Sequence, residues 1–99
     1  MKLLVITTHF EFAEIVERVL DSNGVAHYNR FGMIEGKDRD GRHMGTQVHP
    51  GNMTVFHAQA MEDQIDPIFA ELKRFREAKK AHRHLEALVL PIERRLNDE

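Results

Sequence analysis

The hydrophobic pattern of the chain changes period repeatedly, and these changes constrain the fold more than any other feature. Residues 2–8 form an apolar, β-branched run that is typical of a buried strand. Directly afterwards, from Phe12 to Leu20, apolar residues recur every three or four positions, which predicts an amphipathic helix. A second stripe of the same kind, from Ile65 to Phe75, follows another strand-like run at 53–60. The chain therefore passes from strand to helix twice.

Two further extended segments complete the pattern, at 25–34 and 85–92. The order β-α-β-β-α-β predicts an α+β, ferredoxin-like fold, with two helices on one face of a four-stranded antiparallel sheet. At 99 residues the chain has room for one core, so we expect a single domain over 1–99.

Local signals predict where the helices begin and end. Thr8 and Glu11 have the spacing of a capping box for the first helix, and Asn23-Gly24 is a typical stop. In the second helix Pro67 is expected in the first turn, where a missing N–H is tolerated.

Composition excludes several classes of function. Fourteen Lys and Arg against sixteen Asp and Glu give a net charge of −2, which does not favour binding to nucleic acid. There are no cysteines, which excludes disulfides and thiolate metal sites. No apolar run approaches the roughly 20 residues of a membrane helix. We therefore expect a cytoplasmic protein that is not embedded in a membrane.

Residues 36–52 separate the second strand from the third and contain four glycines and a proline. A loop of this length without internal structure is uncommon in a compact domain and is usually functional or mobile. Glycines at such positions can cradle an anion or merely permit turns, and both interpretations remain open.

Seven histidines raise the possibility of a metal site. His43, His49 and His57 flank or lie in the long loop, and His82 and His84 would share a face if their segment were extended. No established metal-binding spacing is present, so solvated surface histidines are the competing interpretation.

No catalytic set is visible in the sequence. Ser22 is the only serine and has no base beside it, and neither a P-loop nor a dinucleotide-binding glycine motif occurs. The sequence therefore predicts that the protein is not an enzyme.

Two short segments resemble the PII signal-transduction family. The stretch Phe31-Gly32-Met33-Ile34-Glu35-Gly36 is similar to the family's F-G-x-x-x-G entrance to its long loop, and Ala87-Leu88-Val89-Leu90-Pro91-Ile92-Glu93 is similar to its F-V-L-P-V-E ending. The strand order and the position of the long loop match as well. The chain is thus similar to a diverged, PII-like member.

The resemblance implies a signalling regulator of the nitrogen-regulatory type, rather than a catalyst. Such proteins are homotrimers that bind a small-molecule effector in clefts between subunits. A mobile loop, the T-loop, docks on a partner protein, a transporter or an enzyme. On this mapping residues 36–52 are the T-loop. The expected ligand-binding residues are Gly32, Gly36, Lys37, Arg39, Arg42 and Thr46, and the expected partner-binding residues are His43, Gln47 and His49.

The chain departs from the family in its nucleotide-binding turn. Where the family has T-G-x-x-G-D-G-K before the last strand, this chain has Ala78-Lys79-Lys80-Ala81-His82-Arg83-His84-Leu85, without a glycine. A triphosphate needs several donors held together. We therefore expect no ATP or ADP binding in the classical manner. The alternative function is metal binding on the same fold, through His43, His49 or His57.

Overall fold

The computed structural model describes residues 1–38, 41–43 and 53–96, with residues 38 and 41–43 described by their backbone. Within these ranges six strands and two helices follow one another: β1 Lys2–His9, α1 Ala13–Ser22, β2 His27–Ile34, β3 Gly36–Asp38, β4 Gly41–His43, β5 Met53–Ala60, α2 Glu62–Ala78 and β6 Glu86–Pro91. Short 3-10 turns precede α1, at Phe10–Phe12, and follow α2, at Lys80–His82.

Four strands form one antiparallel sheet in the order β2-β5-β1-β6. The register places Leu4 opposite Ala58 on one side and opposite Val89 on the other. The two helix-containing connections each join strands that are not neighbours in the sheet. The structure confirms the predicted ferredoxin-like fold of two helices and a four-stranded antiparallel sheet.

The core lies between the helices and one face of this sheet. Alternate strand residues point into it, because successive side chains of a strand lie on opposite faces. Leu4, Ile6 and Phe56 are fully buried there, and the helices contribute Ala13, Val16, Val19, Leu20, Ile68 and Leu72. Both apolar stripes predicted from the sequence thus pack on the sheet.

The opposite face of the sheet carries apolar side chains that solvent reaches. Leu88 is 53% exposed, Leu90 43% and Phe31 47%. The register aligns Leu88 with Val5, and Leu90 with Leu3, so these residues share one face. We call this surface, made of Leu3, Val5, Phe31, Val55, His57, Leu88 and Leu90, the open face.

The first helix begins later than its predicted capping box. Thr8 lies in β1, paired with Thr54 and fully buried, so it cannot cap the helix. The residue that precedes α1 is Phe12, at the end of the 3-10 turn. Burial of the threonine in the sheet therefore overrides its local capping preference. The predicted stop is confirmed, since Gly24 adopts a left-handed φ of 78° just beyond the helix.

The second helix begins with half of a capping box. The amide N–H of Met61 donates to Oε1 of Gln64, at 2.8 Å. Pro67 is the sixth residue of this helix and not part of its first turn, so that prediction is wrong. The helix extends five residues upstream of the proline, because Gln64 anchors its start and acidic Glu62 and Asp63 occupy the first turn. Among the described helices, none is long and apolar enough to cross a membrane.

Candidate functional site

One end of the sheet gathers the segments that bear the sequence-predicted site. β1 ends there at His9, which pairs with Met53 at the start of β5. β2 ends beside them, with Ile34 opposite Met53. β6 begins at the same end, because Glu86 pairs with Thr7. We call this the loop end of the sheet, since Ile34 and Met53, which lie on either side of residues 36–52 in the sequence, pair here.

The segment after β2 contains a small hairpin. β3 and β4 pair antiparallel, from Gly36 opposite His43 to Asp38 opposite Gly41. The expectation of a long stretch without internal structure is therefore wrong for residues 36–38 and 41–43. The reason is local, since a glycine on each strand and an Asp-Arg-Asp-Gly sequence favour a tight reversal of the chain.

Several predicted ligand-binding residues lie at this loop end. Gly32 lies near the end of β2, and a Cβ added there would meet no heavy atom within 4 Å. The same holds for Gly36 at the start of β3. The register places Arg42 opposite Lys37, so two cationic positions are neighbours across the hairpin. An anion approaching the backbone here would meet open space at both glycines.

The other predicted ligand-binding and partner-binding residues lie only in part within the described residues. Arg39, Thr46, Gln47 and His49 lie outside the described residues. His43 is on β4, where its backbone pairs with Gly36.

His57 is on β5 and belongs to the open face, away from the hairpin. Its ring lies 5.0 Å from that of Phe31, at an angle of 63°. The register flanks it with Val5 on one side and Asn29 on the other. Within the described parts of the chain, no three His, Cys, Asp or Glu residues are grouped closely enough to hold a metal ion.

The pair His82 and His84 does not form the extended arrangement that would put both rings on one face. His82 ends a 3-10 turn and is 8% exposed. Its Nδ1 lies 2.7 Å from the carbonyl oxygen of Phe75, and its ring stacks on that residue. The hydrogen bond and the stacking make His82 part of the packing at the C-terminal end of α2, because the helix end and the aromatic rings enclose it.

One aromatic residue and one histidine at the loop end, Phe10 and His9, were not singled out from the sequence. The ring of His9 lies 5.5 Å from Phe10 and 6.4 Å from His84. Nδ1 of His9 is 3.4 Å from Oε1 of Glu11. Phe10 is 45% exposed. The signal in the sequence is the change of period at 8–12, which also marks the start of the first predicted helix.

The connection between α2 and β6 also reaches the loop end. Nε of Arg76 donates to the carbonyl oxygen of Leu85, at 2.7 Å, and this bond fixes the end of the connection to the helix. Lys79, Lys80 and Arg83 are exposed on it. β2, which contains Gly32, and β6, which follows this connection, are the two edge strands of the sheet, so the open glycine backbone and the cationic side chains lie at the same end of the sheet but at opposite edges.

Comparisons with known proteins agree with this architecture. No family model matches the chain, and no curated protein matches it. Solved structures do match. CPII, a nitrogen regulatory PII-like protein from Thiomonas intermedia K12, bound to ADP, AMP and bicarbonate, is 23% identical with a TM-score of 0.76, over 90% of this chain and 82% of that chain.

A second structure of CPII, bound to ADP and bicarbonate, is 25% identical with a TM-score of 0.72, over 90% of this chain and 82% of that chain. A candidate PII-like signalling protein from Thermus thermophilus is 15% identical with a TM-score of 0.66, over 90% of this chain and 83% of that chain. The comparisons confirm the resemblance drawn from the sequence, and the chain has the fold of PII-like proteins.

Proposed function

We propose that this chain is a PII-like signalling protein, which senses a small effector and controls a partner protein through residues 36–52. The observation that carries the proposal is the likeness to nucleotide-bound CPII, at a TM-score of 0.76 over 90% of the chain. A regulator of this kind needs a rigid scaffold and a segment whose posture depends on a ligand. The sheet supplies the scaffold, and the insertion between β2 and β5 supplies the segment.

The open face supports assembly into a homotrimer. A monomer with Phe31, Leu88 and Leu90 about half exposed on one sheet face leaves apolar area that favours burial. The centre of this face carries no Lys, Arg, Asp or Glu, so copies that meet there bring no like charges together. We propose that three copies bury it and that the effector binds in the clefts between them.

The effector that we propose is a small anion, and the ligands of CPII are the first candidates. ADP, AMP and bicarbonate are bound in the structures of that protein. In this chain Lys37 is exposed near the open backbone of Gly32 and Gly36, and Lys79, Lys80 and Arg83 are exposed across the loop end. Without the glycine-rich turn of the family, the chain lacks a compact cradle for a triphosphate. We therefore propose weaker binding of ATP than of AMP or bicarbonate.

The partner is a protein, a transporter or an enzyme, and the loop is the proposed contact. Arg39, Arg42, Thr46 and the proposed partner-binding His43, Gln47 and His49 provide charged and hydrogen-bonding groups in a short segment. Regulation of nitrogen metabolism is the proposed role by similarity to CPII. We propose no chemical step.

Binding and mass measurements test the proposal together. Light scattering should give about 34.5 kDa, three times the 11.5 kDa of the chain. Calorimetry with AMP, ADP and bicarbonate should detect at least one ligand. A variant without residues 38–50 should keep its unfolding midpoint and lose the capacity to regulate or bind the partner. A monomer that binds none of the three anions would contradict the proposal.

Metal binding on the same fold is the alternative function. Zinc titration of the metal-free protein, with His43→Ala, His49→Ala and His57→Ala variants, tests it directly. Stoichiometric binding that releases protons and disappears in these variants would support the alternative. If the heats are no larger than those of dilution, the chain does not bind zinc, and the metal-binding alternative is excluded.

A further inference from the structure

The loop end of β2 contains one more residue than the strand opposite it. Phe31 pairs with Val55, and the next pair is Ile34 with Met53. Gly32 and Met33 therefore face a single residue, Thr54, which is the definition of a β-bulge. The bulge lies directly before the hairpin, at the point where the chain leaves the sheet.

Met33 adopts a backbone conformation that its side chain disfavours. Its φ is 58°, and it is the single residue other than glycine with a positive φ in the described parts of the chain. A left-handed conformation is costly for a residue that carries a Cβ. The side chain is 68% exposed, so its own packing does not compensate this cost. The conformation is held by the strand pairing on either side.

The pairing beyond the bulge balances this strain. Met53 is 4% exposed and lies opposite Ile34, which is half-buried, so the bulged register places an apolar pair at the base of the loop. Loss of the bulge would release Met33 from its left-handed conformation and would add regular ladder hydrogen bonds. The bulged register is therefore stabilised by packing and destabilised by backbone strain at one residue.

We propose that β2 has two registers at its loop end and that Met33 is the switch between them. In the second register the bulge is absent, Gly32 faces Thr54, and Met33 faces Met53. Every residue beyond then moves by one position. Because side chains alternate with a period of two, Ile34 changes face, and the paired strands β3 and β4 move by about 3.3 Å along the direction of β2.

The switch gives β3 and β4 two discrete positions relative to the sheet from a change at one residue. Its use in signalling rests on the proposed function, because it requires that a ligand at the loop end favour one register. Its existence does not, since the two registers are a property of the chain alone. An anion bound at the backbone of Gly32 would contact the segment that changes register, and would shift the balance by its differential affinity.

Disulfide trapping tests the two registers without any ligand, and the chain suits it because it contains no cysteine. The double variant Ile34→Cys/Met53→Cys joins residues that face each other in the bulged register. Met33→Cys/Met53→Cys joins residues that would face each other only in the second register. Phe31→Cys/Val55→Cys is the matched control, because both registers keep this pair opposite. Unfolding midpoints of the reduced variants show that each is folded.

We expect all three pairs to form disulfides under mild oxidation, with the control fastest. Substitution of Met33 in the Ile34→Cys/Met53→Cys variant should then change the rate at which its disulfide forms. Met33→Gly should raise it and Met33→Val should lower it, with about a tenfold difference between them, because glycine adopts the left-handed conformation freely. The inference is overturned if Met33→Cys/Met53→Cys stays reduced while the other two pairs form, or if residue 33 leaves the rate unchanged.

These outcomes separate the inference from the proposed function. A chain that traps in both registers but binds neither AMP, ADP nor bicarbonate has the switch and lacks the proposed effector. If the chain binds one of these anions but its cysteine variants form the disulfide of only one register, the proposed effector is supported and the switch is not. If both hold, addition of that anion should change the ratio of the two trapped products.

Discussion

The imidazole of His82 lies flat against the ring of Phe75, with centroids 3.8 Å apart and planes 10° apart. The same imidazole meets the carbonyl oxygen of Phe75 through Nδ1, at 2.7 Å. That carbonyl group is one of the last four of α2, and the oxygens of these four groups accept no hydrogen bond from within the helix. Phe12 closes the other side, edge-on at 4.7 Å. One side chain thus ends the helix and joins the 3-10 turn before α1 to the connection after α2.

Replacement of His82 by alanine should destabilise the fold. The change removes a buried hydrogen bond and a stacked ring, so we expect a loss of about 2–3 kcal/mol in the free energy of unfolding. Urea denaturation followed by circular dichroism measures it. His27→Ala, at an exposed position of β2, is the control and should change the value by less than about 0.5 kcal/mol. If both variants lost the same free energy of unfolding, His82 would contribute no more to stability than an exposed residue does.

Two glycines should respond differently to alanine. Gly24 has a φ of 78°, and an added Cβ would meet Nε2 of Gln64 at 3.5 Å, an ordinary contact. We expect Gly24→Ala to cost about 1–2 kcal/mol through the backbone alone, and Gly24→Asn to cost less.

Gly32→Ala should leave stability within about 0.5 kcal/mol, because the Cβ enters open space. This makes Gly32→Ala a test of the ligand site rather than of the fold. Reduced affinity for AMP or bicarbonate, with an unchanged unfolding midpoint, is the expected result. Full affinity in this variant would remove Gly32 from the proposed site.

Packing between α2 and the sheet should depend on Ile68 more than on its neighbour along the stripe. Ile68 is fully buried, whereas Ile65 is partly buried against the same core. Ile68→Ala should cost about 3–4 kcal/mol, since it leaves a cavity, and Ile65→Ala clearly less. Chemical denaturation of both variants gives the comparison. A larger loss for Ile65→Ala would contradict the burial seen at these two positions.

The ionisation of Tyr28 should depend on Asp21. Burial, the hydrogen bond to Asp21 and the charge of that carboxylate raise the pKa of Tyr28 above 10.0. The hydroxyl donates to Oδ1 of Asp21, at 3.1 Å. Because the folded-state pKa is the higher one, the stabilisation is complete below pH 10 and is lost as the pH rises through the folded-state pKa.

Absorbance at alkaline pH measures this pKa cleanly, since Tyr28 is the only tyrosine and the chain has no tryptophan. Asp21→Ala should lower the pKa of Tyr28 towards its ordinary value. Glu93→Ala, which removes a carboxylate outside this contact, should leave it unchanged. A titration that does not respond to Asp21→Ala would argue against the hydrogen bond.

Much of the fold could be predicted because periodicity reflects burial directly. The predicted β5, at 53–60, has the bounds seen in the structure, and the helical stripes ending at Leu20 and Phe75 face the core as expected. The residues at which the helices begin were harder to predict from the sequence. Thr8 has the residue type and spacing of a cap, yet its place in the sheet decides its role, and no local pattern contains that information.

The candidate site was predictable in part. The sequence indicated the segment and its glycines, and the structure brings Gly32 and Gly36 to the end of the sheet that also holds the cationic α2–β6 connection. His82 looked like a possible ligand because type and spacing were all that could be judged. Only the folded chain brings it against the end of α2, where its Nδ1 already has a partner.

The sequence by itself determined the order of the two helices and the four strands of the main sheet, and the faces that they bury, because alternation and helical spacing are properties of neighbouring residues. Only the tertiary structure decided which segments meet at the loop end, where the extra residue in β2 falls, and that Met33 bears the strain. Those features arise from the register between β2 and β5, which joins residues about 20 positions apart in the chain, so no local preference specifies them.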